Sequence, residues 1–154
     1  MNDAFGGTEQ AMAIYQDLLD RISDSYKRRD FSAFAQMVAV PHAVRSFGPT
    51  AWIEDRTQLR ALFDDICTHQ AANAITDYDR HCLAARFTAE DTIDGTHETR
   101  MLRGAQIAQD PYPVRSVLRR INGVWWVTES DNAIEPDAGL GAVLSRRATP
   151  QNQE

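Results

Sequence analysis

The sequence predicts an α+β domain whose helical first half is followed by an antiparallel sheet. Three observations carry that reading. Apolar residues recur at helical spacing near the start and again over Leu59–Ile66, and extended runs fill the chain from Ile75 to Asp131. Between two alternating runs, Val114–Ile121 and Val124–Asp131, stands Asn122-Gly123, the strongest short-range hairpin signal. Runs of helix followed by runs of strand indicate segregated layers.

The first helix is expected from Thr8, as cap, to the Lys27-Arg28-Arg29 cluster, whose cations complement the negative end of the helix dipole. Ala11, Tyr15, Leu18, Ile22 and Tyr26 form its apolar stripe, widened by Ile14 and Leu19. Asp30 caps a second helix, Phe31 to about Val38, that Pro41 ends. His42–Phe47 and Thr50–Glu54 read as short strands around a Gly48-Pro49 turn. Asp55 and Gln58 have capping-box spacing before a third helix, Leu59 to Ala71 or Ala72, with Asn73 as its C-cap. Strands follow at Ile75–Thr88 and Thr96–Gln109, and Asp110-Pro111 breaks the run ahead of the hairpin. The organisation expected is a disordered start at 1–7, one domain at 8–135 and a mobile tail at 136–154 whose apolar residues are Leu140, Val143 and Leu144.

At 154 residues the chain suits one domain with a full core. A net charge of -6 argues against binding nucleic acid, which needs a basic surface. The start MNDAFGGTEQ lacks the basic and apolar regions of a secretory signal, and no window is apolar enough to span a membrane, so a cytoplasmic location is expected. Cys67 and Cys82, unmatched to any C-x-x-C pair, read as free thiols. The four histidines show no metal-ligand spacing, and neither metal nor cofactor is expected.

The long first helix with Tyr26 and Asp30-Phe31 behind it, the FDDI of the third helix and the closing NGVWWV together resemble the nuclear-transport-factor-2-like superfamily, in its SnoaL-like branch. The resemblance covers about Ala11 to Ile134. It implies a strongly curved, cone-shaped antiparallel sheet wrapped around the first helix, three helices in all, with a ligand or active site in the cone and a homodimer through the outer sheet face. Family members include isomerases, dehydratases and cyclases as well as proteins without catalysis, so the chemistry stays open.

A two-residue turn sets Ile121 opposite Val124, Arg120 opposite Trp125, Leu118 opposite Val127 and Ser116 opposite Glu129. The resemblance turns Trp125 inward, so Glu129 and Ser116 are expected to enter the cavity and Trp126 to face out, as a dimer contact or an ordinary surface aromatic. A carboxylate in an apolar cavity is a candidate acid or base, which singles out Glu129; the alternative is a rim carboxylate paired with an arginine. His81 is the second catalytic candidate, as a proton shuttle if it faces inward. It lies on the face opposite Tyr78 unless a bulge intervenes. His42 and His97 are weaker candidates, and Glu98 with Arg100 reads as a cross-strand salt bridge. Pocket residues are Tyr15, Trp52, Phe63, Ser116, Leu118 and Trp125. The leading functional expectation is binding of a small, largely apolar organic molecule. The alternatives are a cofactor-free isomerase, dehydratase or cyclase, and a homodimeric protein-interaction module.

Overall fold

The computed structural model describes residues 5–134 and 139–144. The expectations of a disordered start and a mobile tail fall largely outside them. Where the tail is described, it is a short helix instead.

Helix α1 spans Thr8–Lys27, with Gly7 rather than Thr8 at the N-cap and no side-chain cap. Its stripe of Ala11, Tyr15, Leu18, Leu19, Ile22 and Tyr26 is buried. Removing each of these leucines and isoleucines from water contributes about 1.5–3 kcal/mol. Helix α2 covers only Phe31–Phe34, and the Asp30 carboxylate accepts from Ala33 N at its start. Helix α3 runs Arg56–Ala72: Asp55 accepts from Gln58 N (2.8 Å), and Gln58 Oε1 accepts in return from Glu54 N (2.7 Å). Asn73 is its C-cap. Helix α4, Gly139–Leu144, buries Leu140, Val143 and Leu144, and with it the described residues hold four helices rather than three.

The strands are β1 (Val38–Arg45), β2 (Ala51–Ile53), β3 (Asp77–Ala89), β4 (Thr92–Arg103), β5 (Gln106–Ile121) and β6 (Val124–Asn132). They form one six-stranded sheet in the order β2-β1-β6-β5-β4-β3. The sheet is mixed, because β1 lies parallel to β6 while every other pair is antiparallel. Pro41 therefore sits inside β1 rather than ending a helix. It occupies the irregular stretch between Val38 and Ala43, where a ladder donor is not needed. Pro111 likewise fails to break β5. Its first half pairs with β4 alone, and Asp110-Pro111 fall in a register shift between Tyr112 and Gln109. The Asn122-Gly123 turn is as expected, with both φ angles positive (53° and 79°), the requirement of a type I′ hairpin.

Helix α1 lies over β3 and β4. Gln16 ties it to the edge strand, its amide donating to Arg80 O and its Oε1 accepting from Cys82 N. Gly95 on β4 permits the approach of Tyr15: a Cβ there would meet the phenol ring at 2.6 Å. Cys67 and Cys82 are free and buried, and burial raises both thiol pKa values. Among the described residues no helix is long and apolar enough to cross a membrane.

Candidate functional site

A cavity of about 80 Å³ lies between α1, α3, α4 and the sheet face they cover. Its walls are mostly apolar: Leu19, Ile22 and Tyr26 from α1, Leu62 and Ile66 from α3, Leu144 from α4, and Val44, Val114 and Val127 from the sheet. Across the sheet runs a polar belt, each strand but β2 contributing one or two members: His42 on β1, Ser130 and Asn132 on β6, Ser116 on β5, His97 and Thr99 on β4, and Arg80 on β3. The alternation of strand side chains explains why these residues point one way. The register aligns them, with Ser130 beside both Ser116 and Val44, and Thr99 beside Arg80.

Two groups of the belt carry hydrogen-bonding chemistry. Tyr15 is fully buried; its hydroxyl donates to Ser116 Oγ (2.9 Å) and shares a hydrogen bond with His97 Nδ1. Burial raises the Tyr15 pKa, and Ser116 offsets only part of that effect. His97 is pushed down to about 3, first by burial and then by the charge of Arg80. His42 bonds Ser130 Oγ through Nε2 (3.1 Å) and is lowered to about 4 by burial, with Val127 and Glu129 opposing. Its Nδ1 is enclosed against the Val127 backbone. Both rings are therefore neutral near pH 7, placed to donate and accept hydrogen bonds rather than to carry charge.

The residues singled out from sequence divide three ways. Tyr15 and Ser116 belong to the site, Ser116 on the wall and Tyr15 directly behind it. Phe63 and Leu118 are buried in the core and absent from the cavity wall; Phe63 packs on Phe31, Phe34 and Tyr26. Trp125 is half-buried against Phe87 and beneath the Arg120 guanidinium, also away from the cavity. Trp52 is 53% exposed, because three-residue β2 is an edge strand and this ring faces water.

Glu129 and His81 stand outside. The hairpin register holds from Ile121–Val124 to Leu118–Val127, then a bulge at Thr128 sets Val117 against Glu129 and Ser116 against Ser130. That one-residue shift exchanges the two faces of β6, so Ser130 enters the cavity in place of Glu129. Glu129 instead pairs with Arg45 (3.1 Å) and Arg119 (3.6 Å), beside an Asp131 held by Arg45 and Arg115. His81 is exposed on the face opposite Tyr78, and a second bulge, at Leu83, turns Phe87 inward while Leu83 stays out. Glu98 and Arg100 form a salt bridge at 2.8 Å, along β4 rather than across two strands.

Three cavity residues, Arg80, His97 and His42, are not among the leading candidates that the sequence offers. Alternation from Tyr78 points to Arg80, and alternation back from Thr99 points to His97. Among the described residues no three His, Cys, Asp or Glu side chains gather closely enough to hold a metal ion.

No family model and no curated protein matches the chain. Solved structures do. A protein of unknown function with a cystatin-like fold from Nostoc punctiforme superposes with a TM-score of 0.63 at 16% identity, over 83% of this chain and 93% of its own. A function-unknown protein from Mycobacterium tuberculosis reaches 0.63 at 17% identity over 92% of each chain. A nuclear-transport-factor-2-like protein of unknown function from Shewanella oneidensis reaches 0.60 at 10% identity, over 79% and 98%. The chain thus has the cystatin-like fold of nuclear-transport-factor-2-like proteins. At these identities the likeness concerns fold alone.

Proposed function

We propose that this chain is a SnoaL-like protein that binds a small, largely apolar organic molecule in the cavity between its helices and its sheet. One observation carries the reading: a partly open, mainly apolar space into which a few polar groups converge, among them the buried side chains of His42, His97 and Ser116. Its 80 Å³ is about half the 150 Å³ of an engineered cavity that takes benzene, so the fit as it stands is to molecules smaller than benzene. The test is a panel of small organic molecules added to labelled protein. Chemical-shift changes confined to Ile22, Ile66, Val127 and Leu144 support the reading, and a panel that leaves those methyl groups unmoved refutes it.

A second reading is a cofactor-free isomerase, dehydratase or cyclase. The linked His97, Tyr15 and Ser116 favour it, since Tyr15, from behind the wall, orients an imidazole and a hydroxyl on it that can hydrogen-bond a substrate as charge develops. His97, rather than Glu129 or His81, would make that contact. Deuterium exchange into enolisable carbonyl compounds, read by NMR, tests it: exchange abolished by His97→Gln supports it, and exchange no faster than in protein-free buffer excludes it.

The dimer reading rests on Trp126, half-buried between two surface grooves, one shared with Ala35, Val38 and Leu59 and the other with Arg28, Gln36 and Met37. Trp126→Glu lowers the mass in solution if a homodimer forms there; an unchanged dimer mass moves the contact elsewhere.

A further inference from the structure

Arg80 is the one formal charge among the described residues lining the cavity, because His42 and His97 are neutral near pH 7. A guanidinium is always protonated, and even half-burying one, as Arg80 is, without an opposite charge carries a desolvation cost. Yet among the described residues Arg80 makes no ion pair, although nearly every arginine of the outer sheet face does. Its neighbours are aromatic: the guanidinium carbon lies 4.3 Å from the Tyr78 ring centre and 5.2 Å from that of Tyr26. Ring faces and phenol oxygens offset part of the desolvation. The Nε atom is left enclosed with no hydrogen-bond partner. The acids nearest in sequence, Asp77 and Asp79, alternate to the exposed side of β3.

We propose that the ligand of this cavity is a small monocarboxylate, its carboxylate seated on Arg80 and its hydrocarbon part against Ile22, Ile66 and Leu144. This rests on the reading of the cavity as a ligand site. A guanidinium presents its donors in a planar fork that a carboxylate matches with two parallel hydrogen bonds. Thr99, register partner of Arg80 and also on the cavity wall, supplies a hydroxyl beside that position. The apolar remainder of the wall favours a short aliphatic chain over a second charged group.

The experiment compares propionate with propionamide, of the same shape and uncharged, on the intact protein at pH 7 by calorimetry and by the Arg80 Nε–H resonance; with fewer heavy atoms than benzene, both suit the cavity's volume. Propionate is expected to bind at least tenfold more tightly and to shift that resonance. Arg80→Gln abolishes the preference, and Arg80→Lys, which keeps the charge but not the fork, retains part of it. Equal affinity for the two compounds overturns the carboxylate assignment while leaving the cavity a ligand site. Binding of neither compound, with no methyl shift, overturns both readings. Tight propionate binding that survives Arg80→Gln places the carboxylate elsewhere and overturns the proposal.

Discussion

The Tyr15 hydroxyl donates to Ser116 Oγ at 2.9 Å across 101 residues of sequence, fastening the middle of α1 to the centre of the sheet. The same oxygen meets His97. Removing it leaves two buried polar groups short of a partner. Tyr15→Phe is therefore expected to destabilise the fold by about 1–3 kcal/mol despite keeping the ring, read as a lower urea midpoint. An unchanged midpoint would mean that water replaces the hydroxyl.

Acid should unfold the protein through its histidines. His42 and His97 have folded pKa values of about 4 and about 3, while the unfolded chain protonates near the ordinary 6.5. Below 6.5 the unfolded state binds the extra protons, so stability is full above that pH and falls as pH drops towards the folded values. The slope is about 1.4 kcal/mol per pH unit for each ring. Urea midpoints at pH 7, 6 and 5 measure it, and His42→Gln should roughly halve the slope.

Gly95→Ala should lower the melting temperature clearly, since the new methyl would meet the Tyr15 ring at 2.6 Å and neither helix nor strand can yield without loosening the Tyr15–Ser116 bond. Overpacking of this kind costs about 1–3 kcal/mol. The double variant Gly95→Ala with Tyr15→Leu should recover part of the loss.

Glu129→Gln should change little. The carboxylate is about a third exposed and shares Arg45 with Asp131, so a loss under about 1 kcal/mol is expected, with ligand affinity unaltered. A marked loss of binding in calorimetry would return Glu129 to the site.

The helices were legible because local signals agree with the fold. Asp55 and Gln58 do cap α3, and the Tyr15–Tyr26 stripe is buried as its spacing requires. The hairpin turn was legible for the same reason. What misled was non-local. The bulge at Thr128 has no sequence signature, and one extra residue exchanged Glu129 for Ser130. Pro41 and Pro111 looked like breaks because proline lacks a donor, whereas both lie where the ladder leaves a gap. Arg80 escaped notice because a charged residue in an alternating strand is ordinarily assigned to water; only the tertiary placement of Tyr26 and Tyr78 shows it turned inward.

The sheet order carries a consequence for synthesis on the ribosome. β6, last of the six strands to be made, lies between β1 and β5. Until it emerges, β1 has only the three residues of β2 for company and β5 has one bare flank. A nascent chain stalled before Val124 thus presents two open edges to its neighbours, the kind of surface that holding chaperones cover. Arrival of one nine-residue strand joins the two halves of the sheet and supplies Val127, Ser130 and Asn132 to the cavity wall, so maturation of the site coincides with closure of the sheet.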